Sequence, residues 1–227
     1  MLITRVLLER NSDYAETLSL QRSLRDRVNS VSGEAYILAV EHKPVYSAGR
    51  HSDPADLVDR SVSVFEVERG GSYTFHGPGQ VVVYAIVNLR SLGTNIREFV
   101  SSVQEAEVSL LRHYGILAES RTGKDAGVWV SGRKISSTGF SLKEFSTMHG
   151  IALNVSTDLS AFHKIRPCGF SGDVMTSMEN ELQRAIPYEE VRRKLLARIL
   201  GIMDSSEVRI FYEKEGMRRQ CLPNAQQ

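Results

Sequence analysis

The sequence predicts an α/β (α+β) fold, a single domain with a mixed β-sheet flanked by helices. Three observations carry this expectation. Strand-like and helix-like segments interleave along the chain without strict alternation, which favours a mixed sheet over regularly repeated βα units. The run Val81-Val82-Val83-Tyr84-Ala85-Ile86-Val87 is apolar throughout, as in a strand covered on both faces, and it falls far short of the roughly 20 residues of a membrane span. No internal repeat and no Pro- or Ser-rich linker divides the 227 residues. The expected domain runs over 1–212, followed by a polar tail over 213–227 that ends in Asn-Ala-Gln-Gln and is expected to fray.

Residues 2–9 alternate as a strand. Asn11 and Ser12 are suited to cap a helix running to about Val28, because Leu18, Leu20, Leu24 and Val28 recur at near-helical spacing. Two further strands are expected at 35–40 and 62–67, separated by a polar loop over 42–59 that carries Pro44, Gly49 and Pro54. A loop of that length suggests a binding role. Beyond the strand at 81–87, Thr94 can cap a helix to about His113, with Ile96, Phe99, Val103, Ala106, Leu110 and Leu111 on one face and Gly115 at its end. Short strands follow at 116–119, 127–131, 133–138 and 147–155. A turn-rich stretch spans 157–173, a helix lies near 188–202, and a last strand covers 208–212.

Charge and cysteine content narrow the function. With 28 Lys+Arg against 27 Asp+Glu the net charge is +1, so the chain lacks the basic excess that binds nucleic acid or an anionic membrane. Two cysteines make no disulfide framework, and the start of the chain has no apolar signal core, so a reducing, cytoplasmic setting is expected. No metal is expected, because the two Cys and six His show none of the zinc-ligand spacings; GxSxG and CxxC are also absent.

Four segments hold the residues that can do chemistry. Arg69-Gly70-Gly71-Ser72-Tyr73-Thr74-Phe75-His76-Gly77-Pro78-Gly79-Gln80 contains four of the 17 glycines. It reads as a wide hairpin turn or as a loop whose amides cradle a ligand, and four glycines exceed what a hairpin needs. In Gly132-Arg133-Lys134-Ile135-Ser136-Ser137-Thr138-Gly139, Lys134 heads a strand; composition alone favours a solvated strand-end lysine over one turned into a cleft. His149, in Met148-His149-Gly150-Ile151-Ala152-Leu153-Asn154, is as readily a satisfied buried histidine as a site residue. In the fourth segment, Pro167 and Gly169 flank Cys168 in a tight turn, leaving a buried structural thiol and an exposed nucleophile both open. Cys221, in the polar tail, reads as incidental.

Taken in order, Arg69-Gly70-Gly71 with His76-Gly77-Pro78-Gly79-Gln80, Gly132-Arg133-Lys134-Ile135, His149-Gly150-Ile151-Ala152-Leu153-Asn154-Val155 and Pro167-Cys168-Gly169 resemble the lipoyl(octanoyl) transferase family. The likeness starts at His42-Lys43-Pro44-Val45-Tyr46-Ser47-Ala48-Gly49-Arg50, similar to that family's first binding loop, and ends near Met178. It implies a biotin/lipoate protein ligase-like fold and transfer of an octanoyl group from acyl carrier protein to a lysine of a lipoyl domain. The implied acceptors are the lipoyl domains of 2-oxoacid dehydrogenase complexes and the glycine cleavage H protein, with no cofactor. Cys168 is the implied acyl acceptor and Lys134 its acid and base. Arg69, Gly70, Gly71, Ser72, Tyr73, His76, Gly77, Ser136, Ser137, Thr138, Gly139, His149, Gly150, Ile151 and Ala152 are the implied substrate-binding residues. Amides near Gly77 to Gly79 and around Cys168 are expected to hold the oxyanion. Thr138 stands where the family usually has an apolar residue and Ser141 where an arginine is common. An ATP-dependent lipoate or biotin ligase and a non-catalytic carrier-binding module of the same fold are the alternatives.

Overall fold

A computed structural model describes residues 2–222. In chain order the elements are β1 (Ile3–Ser12), α1 (Tyr14–Ser30), β2 (Glu34–His42), β3 (Val45–Ala48), β4 (Val64–Glu66), β5 (Tyr73–His76), β6 (Gln80–Val87) and α2 (Ile96–His113). They continue with β7 (Glu119–Arg121), β8 (Gly127–Val130), β9 (Arg133–Lys143), β10 (Ser146–Asn154), α3 (Met178–Leu182), α4 (Tyr188–Met203), β11 (Glu207–Phe211) and α5 (Lys214–Cys221).

Eight strands form one sheet in the order β11-β1-β2-β6-β10-β9-β8-β7. β1 runs parallel to β11 and β2, whereas the β2–β6, β6–β10, β10–β9, β9–β8 and β8–β7 pairs are antiparallel. The sheet is therefore mixed, as expected. The apolar run forms β6 near its centre, and its side chains divide strictly by parity. Val81, Val83, Ala85 and Val87 pack with Phe99, Val103 and Leu110 of α2 and Val191, Leu195 and Ile199 of α4. Val82, Tyr84 and Ile86 pack with Leu20, Leu24 and Val28 of α1 on the other face. Each strand residue alternates sides, so a strand clad by helices on both faces must be apolar at every position.

Several boundaries move for local reasons. Asp13, not Asn11 or Ser12, caps α1 by accepting from the Glu16 amide at 3.0 Å, while the Ser12 hydroxyl is engaged by Thr17. Asn95 rather than Thr94 caps α2, accepting from the Glu98 amide at 3.0 Å. The strand expected at 62–67 shrinks to β4, and the 42–59 loop contains β3. With β5 these form a separate three-stranded sheet in the order β4-β3-β5.

The tail departs most from expectation. Instead of fraying, Lys214–Cys221 forms α5, and Met217 and Cys221 are fully buried beside Leu7, Leu20, Leu24 and Tyr36. The Lys214 ammonium, also buried, pairs with Glu9 at 3.0 Å and Glu16 at 3.4 Å. Met217 and Cys221 lie four residues apart, so a polar segment presents two apolar side chains on one helical face. Cys221 is thus a core residue, and the rest of the expected tail, 223–227, lies outside the described residues. Met217→Ala is expected to lower the unfolding free energy by about 2–5 kcal/mol, measured by urea titration; an unchanged midpoint would show that α5 does not support the core.

Candidate functional site

α1 covers β2, β6 and β10 on its face of the sheet, and the 69–72 loop lies over β9. The Gly70 amide donates to the Phe140 carbonyl at 3.0 Å, tying that loop to β9. A Cβ at Gly139 would meet the Gly70 carbonyl oxygen at 3.0 Å, so glycine there favours the close approach of the loop. Between cover and sheet lies a cavity lined by Tyr14, Tyr84, the 69–74 segment, His76, Lys134, the 137–139 and 149–152 segments, and Cys168. A second, more open cleft is lined by His51, Asp56, Ile96, Val100 and Phe140, and it shares Gly70, Gly71, Ser72, Thr138, Gly139 and Cys168 with the first. Cys168 therefore stands at the junction of an inner cavity and an outer cleft.

Lys134 is buried, only 3% exposed, and its Nζ lies 3.9 Å from Cys168 Sγ. A bulge sets its direction. Trp129 pairs with Lys134 and Val128 with Ser136, so Ile135 is an extra residue on β9. Ile135 and Ser136 face α2, while Lys134 and Ser137 both face the cavity. The Cys168 segment docks on the same strand, with the Thr176 amide donating to the Lys134 carbonyl at 2.9 Å. Cys168 itself has φ 55° and ψ 31°, a left-handed conformation that is uncommon outside glycine and clusters at functional sites. Burial pushes the Lys134 ammonium below the ordinary lysine range, while the Cys168 and Asp125 charges oppose that shift.

The other cavity walls are polar but largely uncharged. Burial lowers His76 to about 3 and His42, behind it, to about 4, so both are neutral near pH 7. Burial also lowers His149, whose Nε2 faces Glu68 Oε2 at 3.9 Å, too far for a hydrogen bond. The Glu68 carboxylate is instead held by Arg22, which donates to Oε1 at 3.2 Å and Oε2 at 3.0 Å. Arg69 is buried and donates to the carbonyls of Gly70 at 3.0 Å, Ser72 at 2.8 Å and Ser47 at 2.8 Å, and to Ser47 Oγ at 2.9 Å. Its guanidinium thus pins the loop to β3. The hydroxyls of Ser72 and Thr74 and both ring nitrogens of His149 are buried without a hydrogen-bond partner among the described residues, leaving polar capacity at the cavity wall.

Arg69, Gly70, Gly71, Ser72, Tyr73, His76, Lys134, Ser137, Thr138, Gly139, His149, Gly150, Ile151, Ala152 and Cys168 all border the inner cavity. Gly77 and Ser136 do not. Gly77 belongs to a turn in which the Gly79 amide is already used by Glu41 Oε1 at 2.8 Å, so that amide is not free for a ligand. The amides after Cys168 are also taken, Gly169 by the Arg166 carbonyl at 3.1 Å and Phe170 by the Pro167 carbonyl at 3.1 Å. The bulge turns Ser136 onto α2, where its hydroxyl donates to Glu107. Sequence reasoning missed Tyr14 and Tyr84 in the lining, and Gln80 and Asn154 as its support. The last two occur inside the motifs HGPGQ and HGIALN, which was the available signal.

Residues 13–200 match the lipoyl protein ligase A/B catalytic domain family. An octanoyltransferase of Caldanaerobacter subterraneus subsp. tengcongensis is 40% identical, over 81% of this chain and 82% of its own. An octanoyltransferase of Pelobacter propionicus is 36% identical, over 85% of this chain and 91% of its own. Among solved structures, a lipoate-protein ligase A bound with ATP has a TM-score of 0.71 at 16% identity, covering 97% of this chain and 94% of that one. A T. acidophilum protein with bound lipoic acid has a TM-score of 0.71 at 15% identity, covering 97% and 93%. At such identities the structural likeness is one of fold, the mixed sheet with flanking helices. On the sequence match over most of its length, the chain belongs to the lipoyl protein ligase A/B catalytic domain family.

Proposed function

We propose that the protein carries an octanoyl group from the thioester of acyl carrier protein to a lysine of a lipoyl domain by way of a Cys168 thioester. The octanoyltransferase relatives support the reaction class. The observation that carries the mechanism is the buried Lys134 ammonium 3.9 Å from a thiol at the junction of two cavities. The thiolate is the nucleophilic form of cysteine, and an ammonium at that distance is placed to pair with it and to pass a proton to and from sulfur.

In the first half-reaction the Cys168 sulfur attacks the thioester carbonyl carbon. The bond to the carrier sulfur then breaks, and that sulfur takes a proton from Lys134. In the second, the acceptor lysine amine attacks the Cys168 thioester, its proton passes to the now neutral Lys134, and the Cys168 thiolate leaves. A lysine lowered by burial suits both tasks, because it gives up and regains a proton nearer neutral pH than a solvated lysine does. The inner cavity takes the acyl chain, and the outer cleft admits the carrier arm and later the acceptor lysine. Each buried methylene contributes about 0.8 kcal/mol, roughly fourfold in affinity per carbon, which is the energy available for chain-length selection. A free thiol nucleophile needs reducing surroundings, consistent with the cytoplasm.

Incubated with octanoyl-acyl carrier protein and no ATP, the wild type is expected to gain one octanoyl group by intact-protein mass spectrometry, removable by hydroxylamine. Cys168→Ala is expected to gain none. An adduct that persists in the variant, or a requirement for ATP with release of pyrophosphate, would point instead to adenylating ligase chemistry. Lys134→Ala is expected to slow acyl-enzyme formation by about 10²–10⁴-fold. Above its pKa, Lys134 loses the ammonium that serves the thiolate and protonates the leaving sulfur, so the rate falls on the alkaline side. Because burial lowers that pKa, the alkaline limb is expected below the ordinary lysine value and to disappear in Lys134→Ala, as read from single-turnover rates across pH.

A further inference from the structure

Behind β9, on the face away from the cavity, α2 carries two buried polar residues one turn apart. Gln104 and Glu107 are both fully buried among apolar neighbours. Glu107 Oε1 accepts from the Ser136 hydroxyl, and its Oε2 has no partner among the described residues. Burial pushes this carboxyl up to about 8, so it is largely protonated near neutral pH. Gln104 Nε2 reaches the Arg121 carbonyl at 3.0 Å, Thr138 Oγ1 at 3.2 Å and the Gly127 carbonyl at 3.5 Å. A buried carboxyl in an apolar layer is costly, and a leucine would fill the space at lower cost. Its one polar contact is with the residue immediately after the bulge.

Position explains the expense. In a regular β-strand Lys134 and Ser136 would face the same side, and one facing the cavity would bring the other with it. They face opposite sides only because Ile135 is extra. If β9 lost the bulge by slipping one residue against β8, Lys134 and Ser136 would return to one face and Lys134 would leave the cavity. On the upstream side the bulge is held by the Thr176 amide on the Lys134 carbonyl. On the downstream side the anchors are Glu107 on Ser136 and Gln104 on Thr138. Thr138, which departs from the usual apolar residue of the resembled family, thus has a buried partner for its hydroxyl.

We propose that Glu107, supported by Gln104, is a positioning residue for Lys134: by holding Ser136 on the helix side, it selects the bulged register of β9 that aims the lysine at Cys168. The proposal rests on the reading of Lys134 as the group that acts on the Cys168 thiol.

The test uses the full chain carrying Glu107→Leu, Ser136→Ala or Glu107→Gln, assayed where circular dichroism shows each to be folded. Two readouts are taken: the rate of iodoacetamide alkylation at Cys168, followed by peptide mass spectrometry, and kcat and KM for octanoyl transfer. Glu107→Leu and Ser136→Ala are each expected to slow alkylation toward the rate of Lys134→Ala. Each should also lower kcat about tenfold or more, with KM changed by less than twofold. The double variant Glu107→Leu/Ser136→Ala should be no worse than the poorer single variant, because both residues act through one contact. Glu107→Gln, which keeps an acceptor for Ser136, should restore both readouts. Ser136→Ala removes one oxygen only, so it keeps the test decisive if Glu107→Leu does not fold. Reduced melting temperature with wild-type alkylation and kcat in the folded variants would overturn the proposal and leave Glu107 a packing residue. Alkylation does not require octanoyl transfer, so the predicted alkylation pattern in a protein without transfer activity would overturn the transferase reading alone.

Discussion

The structure turns on a lysine ammonium kept out of water beside a thiol. An isolated ammonium in an apolar interior loses its charge unless something nearby favours it. For Lys134 the strongest favourable influence is Cys168, followed by Asp125. The Trp129 ring lies 5.6 Å from Nζ, and its edge meets Phe170, two residues beyond the cysteine, at 5.7 Å between centroids. Trp129 therefore packs against both the lysine strand and the cysteine segment. The Trp129 Nε1–H is tied to the Asp125 carbonyl at 2.9 Å, which fixes the ring. Two side chains 34 residues apart in sequence can hold a 3.9 Å contact because the surfaces around them are locked together.

A buried polar chain does the rest of the locking and joins the segments that carry the family motifs. His76 Nδ1 meets Gln80 Oε1 at 2.8 Å, and Gln80 Nε2 donates to Asn154 Oδ1 at 3.0 Å. Asn154 Nδ2 donates to the Thr176 carbonyl at 3.0 Å, and the Thr176 amide donates to the Lys134 carbonyl at 2.9 Å. Gln80 Nε2 also donates to the Phe75 carbonyl, so Gln80 Oε1 must be the acceptor and His76 Nδ1 the donor. The network thereby assigns the neutral His76 tautomer and leaves Nε2 unprotonated. Breaking one link leaves a buried donor or acceptor unpaired, which costs about 1–3 kcal/mol. Glutamine and asparagine at these positions support the site without bordering the cavity.

Much of this was legible in the sequence, and the illegible parts share a cause. Val81 to Val87 announced a central strand because burial on both faces leaves no room for a polar residue. The glycine-rich loop, Lys134, the His149 segment and Cys168 were legible as motifs, and all meet at one cavity. The bulge at Ile135 was not, because an inserted residue changes the phase of a strand without leaving a composition signal. It reversed the expectation for Ser136 and also freed Lys134 from its reading as a solvated strand end. Gly77 was misplaced for another reason: glycines permit close backbone approach, but only the fold decides to what, and here Gly79 meets Glu41. The tail helix escaped notice because its apolar content is two residues on a single face.

The charge arrangement around Cys168 changes how a developing negative charge would be met. Of the amides expected to form an oxyanion cradle, those of Gly79, Gly169 and Phe170 are committed to Glu41, Arg166 and Pro167. The cavity also holds two buried cations, Lys134 and Arg69, beside His76, which burial keeps neutral. Arg69 feels the Cys168 charge, and its own positive charge in turn pushes Lys134 down. The two cations therefore act on each other as well as on the thiol. A guanidinium resists deprotonation far more than an ammonium, so the mutual repulsion falls on the lysine. That is the direction acid–base work requires: in the proposed reaction Arg69 supplies a fixed positive field for thiolate or tetrahedral oxygen, and Lys134 is the cation that gives up its proton. In a desolvated site such fixed charges act more strongly than they would in water, without reorganising during the reaction.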